Sequence, residues 1–369
     1  MSRIRTARRF AVPVSIGAVA VAVAAGAGIV SANSSADLPD RSAAELLVDI
    51  QNSDIDGLSG TVVQTAELGL PDLGEAGSDA AELADGSKTM RLWYAAPDQA
   101  RIALMGDLGE SDVIRNGEDM WMWNSESDKA VHYTLPEGAA ERPLWPPPDL
   151  VGANPVEAAE AALQAVGEST EVTTDGSAEV ADRDAYELTL RPKGDDSLIG
   201  EVSLAVDAET GVPLRTRVYA ADANEPAFEI AFTRVEFNVP DAENFTFTAP
   251  SGVEVEEGND DLDTLWSHGQ RDEHSQVEVV GEGWSSVMVT EFDLDKFLES
   301  SREAEDSRQE HGVDLDAETL LEQFPEVSGE WGSGRLISTT LVNALLVDDG
   351  RLLVGAVTPE RLYEVAGQE

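Results

Sequence analysis

The dipeptide Asn116-Gly117 constrains this chain most, because it separates two strand-length runs, residues 111–115 and 118–123. A two-residue hairpin turn that matches the twist of its strands needs positive φ, which Asn and Gly tolerate and most residues resist. An antiparallel pair is therefore written into the sequence. The second run contains Met120, Trp121, Met122 and Trp123 in succession. Side chains alternate across a strand, so the tryptophans share one face, the methionines take the other, and both faces are expected to be covered.

Strand patterns continue on either side. Residues 60–65, 89–95 and 99–105 precede the hairpin, the last two joined at Pro97-Asp98, and residues 129–135 extend the meander. Pro143, Pro146, Pro147 and Pro148 break regular structure, and Asn154-Pro155 opens an Ala-rich helix over 155–166. Strands resume at 171–174, 185–191, 200–207, 212–219 and 227–237, and Ser42 caps a short helix bearing Leu46, Leu47 and Ile50. Acidic residues 253–263, poor in large apolar side chains, read as a linker. Beyond it come strands 285–292 and 335–341, helical stretches at 295–311 and 317–324, a hairpin across Asp349-Gly350, and a terminal helix over 360–366. The predicted fold class is mainly β (α+β): a long antiparallel sheet with few helices, which either packs as an ordinary core or curls into an incomplete antiparallel β-barrel with a helical lid, plus a small C-terminal α+β domain. The domains expected are 1–40, an N-terminal segment; 41–253, the half-barrel; 254–274, an acidic linker; and 275–369, the C-terminal domain.

Residues 1–40 carry an address. Arg3, Arg5, Arg8 and Arg9 precede an uncharged run over 10–30, and Asp37 and Asp40 come before the next basic residue, Arg41. That asymmetry places the start in the cytoplasm and the remainder across a membrane. The run is long enough to stay as a transmembrane anchor, which takes roughly 18 residues. It also ends in Val30-Ser31-Ala32, a small-x-small pattern that suits a cleaved signal peptide. Either way the body is extracytoplasmic, membrane-anchored by its N-terminal helix or secreted.

Composition excludes several functions. There are 72 Asp and Glu against 24 Lys and Arg, a net charge of −48, so the body repels nucleic acid. Such acidity fits a halophilic setting or an ordinary acidic secreted surface. Without cysteine, packing alone must hold the fold. His132, His268, His274 and His311 show no metal-ligand spacing, and neither a phosphate loop nor a nucleophile elbow is present. No enzyme, metal or cofactor is expected.

What remains is apolar mass in strands: Trp93, Leu104, Met105, Ile114, Trp121, Trp123 and Tyr133, with Leu163 in the Ala-rich helix. It fits a core between sheet and helices, or a hollow that holds an acyl chain. The hollow needs no polar motif, because at about 0.8 kcal/mol per buried methylene a fourteen-carbon chain supplies roughly 10 kcal/mol of gross driving force.

Four motifs in order resemble the LolA-like lipoprotein carriers. Val113-Ile-Arg-Asn-Gly-Glu-Asp-Met-Trp-Met-Trp123 is similar to their "DG…W.Y" hairpin, with Asn116-Gly117 for Asp-Gly and Trp123 for Tyr. Pro97-Asp-Gln-Ala-Arg-Ile102 resembles a "P..fR" strand, and Val206-Asp-Ala-Glu-Thr-Gly-Val-Pro-Leu-Arg215 a "D..tglP.r" turn. Phe232 to Val235, followed by Phe245, Pro250 and Gly252, resembles the closing stretch. The likeness covers about residues 42–255. Residues 283–289, 334–344 and 350–362 resemble the smaller domain of the RseB-like regulators within the same superfamily. The resemblance implies a half-barrel that binds lipid acyl chains or lipoproteins, with Arg91 and Arg101 as candidates for the arginine that controls the lid. It also implies an alternative: a regulatory sensor that binds a membrane protein partner through its C-terminal domain.

Overall fold

The computed structural model describes residues 38–69, 86–106, 109–125, 127–135, 167–258, 277–294, 321 and 323–368. The expectations for the N-terminal run, for the helix over 155–166 with Leu163, and for the stretch 295–311 lie outside these residues. Among the described residues no helix is long and apolar enough to cross a membrane.

Helix α1 (Ala43–Gln51) starts at Ser42 as expected. Ser42 Oγ accepts from the Glu45 backbone N–H at 3.3 Å, and Glu45 Oε2 accepts from the Ser42 N–H at 2.8 Å, a reciprocal capping box. Two meanders follow. The first holds β1 (Gly57–Ala66), β2 (Gly86–Ala95), β3 (Gln99–Met105), β4 (Glu110–Asn116), β5 (Asp119–Asn124) and β6 (Lys129–Thr134). The second holds β7 (Thr170–Val180), β8 (Arg183–Pro192), β9 (Ile199–Asp207), β10 (Pro213–Ala220) and β11 (Pro226–Glu236). Pairing of β1 with β11 fuses them into one sheet, ordered β12-β6-β5-β4-β3-β2-β1-β11-β10-β9-β8-β7. Its pairs are antiparallel except β12 (Glu254–Glu257), which lies parallel to β6. The large sheet is open rather than closed into a barrel.

Two local features differ from the sequence expectation. Residues 254–257, read as the start of a linker, form β12, because an edge strand needs only main-chain partners and tolerates charged side chains. The β4–β5 turn centres on Gly117 and Glu118 rather than Asn116-Gly117, since Asn116 already pairs with Asp119. Gly117 alone takes positive φ, +67°, the pattern of a type II′ turn.

Residues directly opposite each other on paired strands point to the same side, so register assigns the faces. One face carries Lys88, Gln64, Ile230, Thr216, Leu204 and Leu188 in one cross-strand row. Helix α1 lies against this inner face, where fully buried Leu46 packs with Tyr186 and Leu188. The outer face of β8–β11 is ionic: Arg215 meets Glu187 at 3.2 Å, Arg191 meets Glu201 at 2.6 Å, and Arg217 pairs with Glu229.

A second sheet contains β13 (Glu278–Val280), β14 (Val287–Glu291), β15 (Glu326–Gly329), β16 (Gly332–Ser338), β17 (Asn343–Val347) and β18 (Arg351–Gly355), ordered β13-β14-β18-β17-β16-β15. The expected hairpin at Asp349-Gly350 joins β17 to β18, with Gly350 at φ +93°. Helix α2 (Pro359–Ala366) buries Leu362 and Val365 against Val287, Leu345 and Leu353. Leu341 of this unit packs with Ile199 and Ala227 of the large sheet, and Trp284 Nε1 donates to Thr170 Oγ1 at 2.8 Å.

Candidate functional site

The registers of β2 to β6 lay three parallel rows across the inner face. The middle row is Leu92, Ile102, Val113, Met122 and Val131, apolar in every strand. On one side of it runs Met90, Leu104, Ser111, Asn124 and Lys129; on the other runs Tyr94, Ala100, Arg115, Met120 and Tyr133. Val113 is 36% exposed and Met122 40%, so an apolar lane lies open between flanking rows. Across four strand spacings of about 4.8 Å it is roughly 19 Å long.

Both ends are defined. At β1 the lane meets Gly60, opposite Leu92, and the Phe232 ring lies against that glycine: a Cβ there would stand 2.7 Å from a ring carbon. At β12, Glu256 stands opposite Val131, and its carboxylate is 3.6 Å from Lys129 Nζ.

The sheet divides the residues expected to bind lipid. Leu104 and Tyr133 stand on the inner face, flanking the lane. Trp93, Met105, Ile114, Trp121 and Trp123 stand on the outer face, and Leu163 lies outside the described residues. The tryptophans and methionines do take opposite sides of β5, yet Met122 is exposed rather than covered. The tryptophan side is the packed one. A 3-10 helix (Ala242–Phe245) seats Phe245 against the sheet, and Phe247 follows, its ring 5.0 Å from Trp121 and 6.0 Å from Trp123. Trp121 also stacks on His132 at 4.3 Å, and His132 bridges Asp119 at 2.9 Å and Glu257 at 3.1 Å, which ties β12 to the sheet. Trp123 Nε1 is buried there without a hydrogen-bond partner.

Arg91 and Arg101 flank the Trp93 ring on the outer face, their guanidinium carbons 5.1 and 5.2 Å from its centroid. Arg101 forks onto buried Asp112, Nε to Oδ1 at 2.8 Å and Nη2 to Oδ2 at 2.9 Å. Burial, then the charge of Asp112, pushes the neighbouring Glu110 carboxyl up.

Sequence reasoning passed over Leu92, Val113, Val131 and Arg115. The available signal was the alternation itself, since the face opposite Trp121 and Trp123 must carry Val113 and Met122 together. Arg115 is 9% exposed, and its Nε donates to the Gly117 carbonyl at 3.2 Å. Burial pushes this guanidinium down, and Asp98 partly opposes the effect. Among the described residues no group of three or more His, Asp or Glu is placed to hold a metal ion.

No family model matches the sequence, and no curated protein matches it either. Among solved structures the chain is similar to one from the Pseudomonas aeruginosa MucA/MucB complex, at 14% identity and TM-score 0.44, over 88% of this chain and 96% of that one. It is also similar to a LolA superfamily protein from Nitrosomonas europaea, at 12% identity and TM-score 0.23, over 56% of this chain and 99% of that one. A third is a putative outer membrane lipoprotein-sorting protein domain from Vibrio parahaemolyticus, at 10% identity and TM-score 0.23, over 55% of this chain and 96% of that one.

Proposed function

We propose that this chain is an extracytoplasmic binding protein that holds acyl chains, of free lipids or of lipoproteins, along the inner-face lane, and that it performs no covalent chemistry. The observation that carries this reading is the lane: five apolar side chains in one cross-strand row, two of them exposed. An extended hydrocarbon with bonds of about 1.5 Å advances roughly 1.25 Å per carbon, so a 19 Å lane accommodates about fifteen methylenes. At ~0.8 kcal/mol each they supply about 12 kcal/mol gross. After an association cost of at least ~4 kcal/mol, a Kd on the order of micromolar remains. Methionine suits such a surface because its unbranched side chain adapts to a mobile guest.

The test is native mass spectrometry of the full chain with added hexadecanoate, for wild type, Val113→Asp and Met122→Asp. Both positions are already exposed, so these variants keep the fold. The wild type takes up the lipid, and each variant binds it at least tenfold more weakly. A wild type that stays empty, or variants that bind equally well, would sink the proposal.

One observation favours a second reading, a regulatory sensor whose C-terminal domain docks the outer segment of a membrane protein. Val279 of β13 and Met288 of β14 stand directly opposite each other, 50% and 39% exposed. Val279→Glu with Met288→Glu then abolishes capture of a membrane partner and leaves hexadecanoate binding intact. Unchanged capture would rule this reading out.

A further inference from the structure

One end of the lane is closed by the most weakly attached strand of the large sheet. β12 is an edge strand of four residues that pairs with β6 alone, in the parallel register that is the less stable kind of ladder. Ion pairs reinforce it on both faces. On the inner face Lys129 Nζ stands 3.6 Å from Glu256. On the outer face His132 Nε2 lies 2.9 Å from Asp119 Oδ1, and Nδ1 lies 3.1 Å from Glu257 Oε2. Both partners are carboxylates, which only accept, whereas a neutral imidazole has a single N–H to give. The double bridge therefore requires the imidazolium. Trp121 of β5 stacks on the ring and Phe247 lies against Trp121, so these aromatic neighbours add no further charge.

β12 also shapes the lane. Glu256 stands opposite Val131, the last apolar residue of the middle row. Just past β12, the Gly258 N–H donates to the His132 carbonyl at 2.7 Å, and its main chain lies so close over Tyr133 that a Cβ there would overlap the ring. A hydrocarbon running past Val131 would have to strip water from the Glu256 carboxylate, which stops it. From this geometry, and resting on the acyl-chain reading above, we infer that β12 is a detachable stop for the lane, latched by protonated His132. The latch holds lipid in mild acid and lets it go faster in mild alkali.

The direction follows from the donor count. Histidine is the side chain that changes charge between about pH 5 and pH 8, and on losing its proton His132 keeps one of its two contacts. Asp119 sits in β5, which has a paired neighbour on each side, whereas Glu257 is 77% exposed on the edge strand. The contact to Glu257 is the one lost, which leaves β12 with Lys129 and Glu256, both half-exposed. Exposed ion pairs change an equilibrium by about two- to fivefold, so the latch loosens by that factor rather than springing open.

The experiment uses the full-length protein at about pH 5.5 and about pH 8.5, with hexadecanol as the ligand because its head does not titrate in this range. Protection of the Gly258 amide from hydrogen exchange, corrected for the intrinsic effect of pH, reports the latch. The Ala96 amide, bonded to the Asp56 carbonyl at 2.9 Å, is the reference. Gly258 protection is expected to fall about two- to fivefold from acid to alkali while Ala96 protection holds, and hexadecanol is expected to leave faster by a similar factor. His132→Gln removes both pH responses, and Glu257→Ala, a change at an exposed edge, does the same should the first variant fold poorly. Gly258 protection that ignores pH, or a pH response that survives in the folded variants, overturns the latch and leaves the acyl-chain reading standing. A latch that responds while hexadecanol release does not overturns its role as the stop. Protein that takes up no hexadecanol at either pH overturns the acyl-chain reading and this assignment with it.

Discussion

Replacing Asp207 with asparagine tests how the second meander is held together. Asp207 is 2% exposed at the end of β9, and its Oδ1 accepts from the Thr210 N–H at 2.7 Å and the Thr210 hydroxyl at 2.8 Å. Arg183 grips the carboxylate with both arms of its fork, Nη2 reaching Oδ1 at 2.9 Å and Nε reaching Oδ2. Asparagine keeps the oxygen that serves Thr210 and loses the charge and one acceptor facing Arg183. Two charge-assisted hydrogen bonds are worth about 1.5–3 kcal/mol each. Arg183 is 25% exposed and keeps Glu209 at 3.0 Å, so water and that partner recover part of the loss, and about 2–3 kcal/mol is the expected net cost. At roughly 2–4 °C per kcal/mol for a domain of this size, Tm falls by about 5–10 °C. The sign with pH follows from the direction of the shift. Burial pushes the Asp207 carboxyl up, but the hydrogen bonds from Arg183 and Thr210 outweigh it and hold the group below its usual value. Its contribution is therefore present above the unfolded carboxylate pKa near 3.9 and is lost as pH falls through the lower folded value. Urea unfolding of wild type and Asp207→Asn from pH 7 down to pH 2 measures both effects. A difference under about 0.5 kcal/mol at pH 7, or one that does not shrink in acid, refutes the reasoning.

Three further substitutions follow from single contacts. Gly211→Ala puts a Cβ 2.5 Å from the Asp49 carbonyl at a position with φ +72°, so it costs about 1–3 kcal/mol and speeds amide exchange in α1. Trp123→Phe removes a buried N–H that has no acceptor, and urea unfolding finds it neutral or stabilising by up to about 1 kcal/mol. Trp284→Phe loses the hydrogen bond to Thr170 and weakens the joint between the two sheets by about 1 kcal/mol, read as faster limited proteolysis between them.

Local chemistry was legible in the sequence. Ser42 with Glu45, Asp349-Gly350 and Pro359 mark their elements because a cap, a turn and a first helical residue each depend on a few neighbouring atoms. The β7–β8 turn was not legible: Ala181 and Asp182 both take positive φ, +54° and +60°, and alanine advertises nothing of the kind. Nor was β12, since acidic residues 254–257 carry no strand pattern and earn their place only by pairing with β6, more than a hundred residues away. The fusion of the meanders through β1 and β11 is equally nonlocal, with Thr65 opposite Glu229.

The candidate site shows where that limit bites. Alternation along β5 separates Trp121 and Trp123 from Met120 and Met122, and the structure keeps that separation. What alternation does not encode is which side the rest of the chain covers. Tryptophan offers the larger apolar surface, so the tryptophan side looks like the place for a guest; but large aromatic surface is also what folding buries first. Here Phe245 and Phe247, more than a hundred residues downstream, take the tryptophan side and partly cover it. The lane on the other side stays open because its side chains, Val113 and Met122 among them, are individually modest and contiguous only across strands. A surface assembled one residue per strand is invisible to any motif read along the chain, and the same holds for Arg115, whose place beside the lane depends on its opposites Ala100 and Met120 and not on its sequence neighbours.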